Sequence, residues 1–263
     1  MNHATTPVGH LLRDWRERRH LSQLALATEA EISQKHLSFI ESGRSAPSRE
    51  MVLLLAERLD IPLRDRNALL LAAGYAPVFR DRPLDDPALA RARATIDLIL
   101  KGHEPHPALV VDRQWQLVSA NATVAPLMAG ADPMLLKPPV NVMRLALHPR
   151  GLAPLIVNLG EWRAHLLDRL RRQHRLTLDP EIGKLLQEVS AYPGGKERPG
   201  SHQDEIAVPF ELRTQAGTLS FLSTVTVFGT AVDITLSELS LETFYPADPE
   251  TAAALRTLAG DSG

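Results

Sequence analysis

From Val8 to about Tyr75 the apolar residues return every three or four positions, in runs suited to short helices. Val8, Leu11, Leu12 and Trp15 share one face of a first run that ends near Arg19. Ser22 is placed to cap a second helix with Leu24, Ala25 and Ala27 inward. Ser33 caps a third, with Leu37 and Ile40 on one face and Gly43 as its stop. Beyond the loop "SAPS", Ser48 opens a fourth helix through Leu59, striped by Met51, Leu54, Leu55 and Leu59. Pro62 suits the first turn of a fifth, ending at Gly74.

The stretch "APVFRDRPLDDP" then brings prolines and a charge run, and reads as a linker. Beyond it the period changes. Pro87–Lys101 is helical, with Leu89, Ile96, Ile99 and Leu100 apolar, and "PALVVDRQWQLVSAN" is a hairpin turning around Asp112–Gln114. "NATVAPLMAG" is a short helix opened by Asn121, and Asn141 to Val189 is helical with Trp162, Leu166, Leu167 and Leu170 as a stripe. "YPGGKERPGSHQDE" is a surface loop. Three strands follow at Ile206–Arg213, Thr218–Phe228 and Leu236–Phe244, the first two joined by a turn at Gln215–Gly217. The expected division is residues 1–76, a linker at 77–86, and residues 87–263. The fold class is an all-α domain followed by an α+β domain with a five-stranded antiparallel sheet and helices against it.

Composition adds little to that division but excludes several chemistries. The chain of 263 residues has no cysteine, so disulfides, thiolate nucleophiles and cysteine-held metals are out. With no apolar run of signal-peptide or membrane-span length, the expectation is a cytoplasmic protein with no membrane partner. The net charge is −2, yet residues 1–80 carry eleven Lys and Arg against nine acids. Residues 1–80 are therefore at +2 and the remainder at −4, a segregation that permits nucleic-acid contact without demanding it.

The second and third helices carry the sharper signal. Ser22–Glu29, a tight turn and Ser33–Glu41 meet the requirement for two short helices crossing over a shared apolar contact, here Leu24, Ala27, Ile32, Leu37 and Ile40. That leaves Gln34, Lys35, Ser38 and Phe39 outward. Gln pairs with adenine edges, Lys donates to guanine O6 or N7, and Phe meets a thymine methyl. Gln23, Ser33 and Arg44 stand at helix ends, where phosphate contact is natural.

The run Ser22-Gln23, Leu24-Ala25, Ile32-Ser33-Gln34, Leu37-Ser38, Glu41-Ser42-Gly43-Arg44 and Pro47-Ser48 resembles the phage-repressor, or XRE-type, helix-turn-helix over residues 8–75. The resemblance implies a phosphate contact by Gln23, base reading by Gln34, Lys35 and Ser38, and a backbone contact by Arg44. One position departs: Glu31 stands where the family usually has glycine in the turn, at a cost of roughly 1 kcal/mol if the turn is unchanged.

The whole chain resembles an MmyB-like regulator. The blocks that carry this are "PALVVDRQWQLVSANATVAPLM", "LALHPRGLAPLIVNLGEW" and "LSFLSTVTVFGTAVDITLSELSLETFYPADPETAAALR", following the repressor-like segment in order. It implies a PAS-like second domain and a small, apolar, fatty-acid-like effector. The ligand-contact candidates are Trp115, Asn121, His148, Trp162, Phe221, Thr224 and Phe228. Either face of Thr218–Phe228 suits a pocket wall: Leu219, Phe221, Val225 and Val227, or Leu222 and Phe228 among Ser220, Thr224 and Thr226.

Catalysis is not expected. Ser119 and His165 have nothing to orient them as nucleophile and base, and "HEPH" is a proline-bent loop rather than a metal-presenting helix. No cofactor fingerprint is present. The reading is a regulator that binds a double-stranded operator as a homodimer and answers a small-molecule effector. Its alternatives are a second domain that serves only dimerisation or partner recruitment, and an enzyme with an autoregulatory DNA-binding domain.

Overall fold

The computed structural model describes residues 7–194, 208–228 and 233–260. They fall into two compact units, Met1–Pro83 with Thr230–Ser237, and Leu84–Gly229 with Glu238–Gly263.

The first unit is built from α1 (Val8–Arg18), α2 (Gln23–Glu29), α3 (Gln34–Glu41), α4 (Arg49–Arg58) and α5 (Leu63–Ala72). Three serines start three of them. Ser22 Oγ accepts from Ala25 N at 3.0 Å, Ser33 Oγ from His36 N at 3.1 Å and Ser48 Oγ from Met51 N at 3.2 Å. Pro62 stands just before α5 rather than inside it. Gly43, at φ 74°, ends α3 and lets Arg44 N and Ser45 N both return to Phe39 O.

Leu12, Leu26, Ala27, Leu37, Ile40, Leu55 and Leu70 fill the core. The phase of α2 differs from the sequence reading: Leu26 is fully buried while Leu24 is 59% exposed. Leu26, Ala27 and Ala30 share the inward face, and Leu24 lies about a third of a turn from its centre. At Gly9 the backbones of α1 and α3 close directly, since a Cβ there would stand 2.2 Å from Ile40 O and 2.9 Å from Glu41 O.

This unit also takes a piece from far along the chain. The short helix α11 (Ile234–Ser237) belongs to it, where the sequence pattern had suggested the start of a strand. Ile234 N donates to Arg80 O at 2.9 Å, Asp233 lies 3.7 Å from Arg82 Nη1, and Thr235 Oγ1 donates to Arg82 O. Ile234 is buried, so the attachment has an apolar plug as well as backbone and charge contacts. Arg64 of α5 holds Asp81, in the same segment, at 2.5 Å.

The second unit opens with α6 (Ala90–Gly102) and the hairpin β1 (Ala108–Val111) and β2 (Leu117–Ala120). The helices α7 (Val124–Met128), α8 (Val142–Leu147), α9 (Leu159–Thr177) and α10 (Pro180–Ser190) follow. It closes with β3 (Phe210–Thr214), β4 (Gly217–Val227), β5 (Ser240–Pro246) and α12 (Pro249–Gly260). The strands form one antiparallel five-stranded sheet in the order β2-β1-β5-β4-β3. Most of the loop "YPGGKERPGSHQDE", with Ile206 and Ala207, lies outside the described residues.

Alternation along the strands sorts the sheet into two faces. Phe221 and Phe244 point to the helical side, as do Leu109 and Glu242, which pair directly across β1 and β5. Thr224 and Thr243 lie on the other side and hydrogen-bond each other at 2.7 Å.

Candidate functional site

In the first unit the side chains of α3 divide cleanly. Leu37 and Ile40 are buried, while Gln34 and Lys35 are exposed and Ser38 and Phe39 are half-exposed. Phe39 is flanked by two cations, with Lys35 Nζ at 5.6 Å and Arg44 Cζ at 5.8 Å from its ring centroid. The outward end of α3 is thus an apolar plate between positive charges.

Behind that face lies a buried ion pair that ties α3 to α1. Arg16 Nε donates to Glu41 Oε1 at 2.7 Å and Nη2 to Oε2 at 2.9 Å, while Nη1 donates to Leu21 O at 2.8 Å. The hydrogen bond to Glu41 holds the Arg16 pKa above its ordinary value against the opposing cost of burial. Gln23 Nε2 joins the cluster, donating to Glu41 Oε2 at 2.9 Å. One of its two amide hydrogens is therefore committed inward, leaving the second for any phosphate. Ser33 uses its hydroxyl oxygen as the cap of α3 and keeps its own O–H to donate.

The turn between α2 and α3 has the strained geometry expected of it. Glu31 adopts φ 55°, and Ile32 N returns to Ala27 O at 2.9 Å. A glutamate occupies a backbone position suited to glycine.

In the second unit, an apolar cavity with about 100 Å³ of free space opens between the helices and the sheet. Trp115, Trp162, Phe221 and Phe244 wall it, together with Leu166 of α9 and Met143 of α8. Trp115 is held in place by an unusual turn. Its φ is 66°, a costly value for a bulky side chain. Asp112 secures the turn by accepting from Gln114 N at 2.8 Å and Gln116 N at 2.9 Å. The indole Nε1 donates to Gln173 Oε1 at 2.7 Å.

Among the described residues, one charged side chain lines this cavity. Glu242 Oε1 accepts from Arg169 Nη1 at 2.6 Å, and the Arg169 guanidinium lies 4.3 Å from the Trp115 ring centroid. His165, one turn before Arg169, stacks on Trp162 with centroids 5.3 Å apart. Burial first, and then Arg169, push its pKa below the ordinary histidine value.

Of the seven ligand-contact candidates, the structure brings Trp115, Trp162 and Phe221 together at the cavity. The other four stand elsewhere, each for a local reason. Asn121 does not cap α7; its Oδ1 accepts from Ala108 N and Thr123 Oγ1, and its Nδ2 donates to Leu100 O and His106 O. His148 accepts from Arg150 N through Nδ1 and packs edge-on against Tyr192. Thr224 is on the opposite face of the sheet, and Phe228 follows the end of β4. The sequence reading missed Glu242, whose signal was a lone acid inside the strand "LETF" on the phase of Phe244.

Ser119 stands opposite Val110 in the sheet, whereas His165 stacks on Trp162, so the two belong to different surroundings. Among the described residues, no group of histidines and acids is placed to hold a metal ion. Nor is any described helix long and apolar enough to cross a membrane.

Comparison with known proteins agrees with this division of labour. A helix-turn-helix family model matches residues 12–65, and the model of the MmyB-like transcription regulator ligand binding domain matches residues 92–258. A search of curated proteins returned no match. A helix-turn-helix on one unit and a walled cavity in the other, with the second match spanning more than half of the chain, make this protein a member of the MmyB-like transcription regulators, a ligand-regulated DNA-binding protein.

Proposed function

We propose that the chain acts in the cytoplasm as a homodimer that reads a near-palindromic operator through α3. On this reading Gln34, Lys35 and Ser38 meet base edges, and Phe39 touches a thymine methyl. Gln23, Ser33 and Arg44 hold the phosphate backbone. The observation that carries it is the outward face of α3, where two exposed long side chains and a cation-flanked ring stand over fully buried Leu37 and Ile40. Two copies would set their reading helices roughly 34 Å apart, one turn of the duplex.

The effector occupies the cavity walled by Trp115, Trp162 and Phe221. It is small and apolar, and fatty-acid-like in having an alkyl body. It regulates by binding one arrangement of the dimer more tightly than another. The cavity's nearly continuous apolar lining favours a sensing role over one of dimerisation alone.

The test is a gel-shift series on an operator selected from random duplexes. Gln34→Ala should cost roughly 1–3 kcal/mol at one base pair and relax the preference there. Arg44→Ala should weaken every sequence alike and reduce the salt slope by about one. Unchanged binding by both variants would remove α3 as the reader.

A further inference from the structure

Resting on the reading of the cavity as the effector site, we infer that Glu242, held by Arg169, selects an effector with an uncharged head that donates a hydrogen bond. A primary alcohol or a carboxamide has this chemistry; a free carboxylate lacks it.

Among the described residues, the cavity offers a ligand apolar walls with one charged side chain, Glu242. That carboxylate is 10% exposed and its partner Arg169 25% exposed, so the polar end is neutral as a pair and largely withdrawn from water. Glu242 Oε1 is taken by Arg169 Nη1, and Oε2 remains as an acceptor. The Arg169 guanidinium is itself held by the Trp115 ring, whose centroid lies 4.3 Å from Cζ, so the pair does not follow the ligand freely. A head that donates a hydrogen bond to Glu242 Oε2 completes the site without disturbing the pair.

A carboxylate bears the cost of protonation if it enters as the neutral acid at neutral pH, and as an anion it has two ways to enter, both unfavourable. Left beside the intact pair, it brings a second anion to Glu242 in a site poor in water. If it displaces Glu242 from Arg169, it leaves that acid buried with no counter-charge. The position of Glu242 within the sheet limits its escape. It pairs with Leu109 on β1 and Val225 on β4, so the acid stands in the interior of the sheet rather than at an edge.

The experiment uses the full chain, freed of lipid, titrated with 1-octanol, octanamide and octanoate at neutral pH. Trp115 and Trp162 both wall the cavity, so their fluorescence reports occupancy. The alcohol and the amide are expected to bind at least tenfold more tightly than octanoate. In Glu242→Gln, with the Arg169 charge released, octanoate should gain at least fivefold on octanol. Tighter binding of octanoate than of octanol by the unaltered chain would overturn the inference while leaving the cavity as the effector site. Failure of all three probes to change the fluorescence would instead overturn the cavity reading itself. The ranking in the unaltered chain decides the matter even if Glu242→Gln fails to fold.

Discussion

Removing the Glu41 carboxylate should damage the first unit more than its one missing charge suggests. In the folded chain Arg16 and Glu41 have side chains 9% and 2% exposed, joined by two parallel hydrogen bonds. Glu41→Ala leaves the guanidinium buried with Leu21 O and, at 3.7 Å, the half-exposed Glu17 as its remaining partners. Breaking a buried pair from one side costs roughly 3–5 kcal/mol. Glu17 screens part of the orphaned charge, so the lower end applies, about 3 kcal/mol. A helical unit of this size loses roughly 4–8 °C per kcal/mol, giving a fall of about 12–24 °C. Urea titration read by hydrogen exchange of peptides within α1–α5 follows this unit separately from the other. Arg16→Met with Glu41→Leu should recover most of the loss, because it removes both charges and keeps the volume. A single variant within about 1 kcal/mol of the parent, or a double variant no better than the single, would refute the reasoning.

Three further expectations follow from local geometry. Glu31→Gly relieves a non-glycine φ of 55° and should stabilise the first unit by about 1 kcal/mol; a lowered melting temperature would count against it. Gly9→Ala places a methyl 2.2 Å from Ile40 O and should cost at least roughly 1–3 kcal/mol in a denaturant melt, with a near-neutral result speaking against the close approach of α1 and α3. Burial is the leading cause that lowers the pKa of both His165 and His103 below the ordinary 6.5. The unfolded chain therefore binds these protons first, so stability is complete above about pH 6.5 and falls as the pH drops below it. The second unit should melt lower at pH 5.5 than at pH 8, and His165→Gln should flatten that slope; a slope of the opposite sign would refute the assignment.

Much of the architecture was legible because local chemistry and tertiary need agree in it. Ser22, Ser33 and Ser48 each begin a helix with a cap that their side chains do make. The hairpin around Asp112 and the closing strands follow from period-two alternation, and all pair in one sheet. The phase of α2 was harder, because Leu24 and Leu26 are both leucines in a seven-residue helix too short to fix its own face. The cavity was least legible. Leu166 and Met143 line it, yet a side chain facing a void and one facing a neighbour have the same apolar identity. Candidates chosen for polarity, such as Asn121 and His148, instead spend their atoms on nearby backbone. α11 could not be foreseen from periodicity, since its burial depends on residues near Arg80.

That borrowed helix also sets an order of assembly on the ribosome. A first unit ending at Pro83 would be complete as soon as that residue emerged, but this one lacks a buried plug until Ser237 has been made. At about 5–20 residues per second, the intervening chain takes on the order of 8–30 s to synthesise. Through that interval the nascent DNA reader exists without Ile234 or the Asp233 contact to Arg82. The unit translated first is thus finished only after four of the five strands of the other have been made. A gene fragment cut at the linker would encode a reader arrested at that unfinished stage.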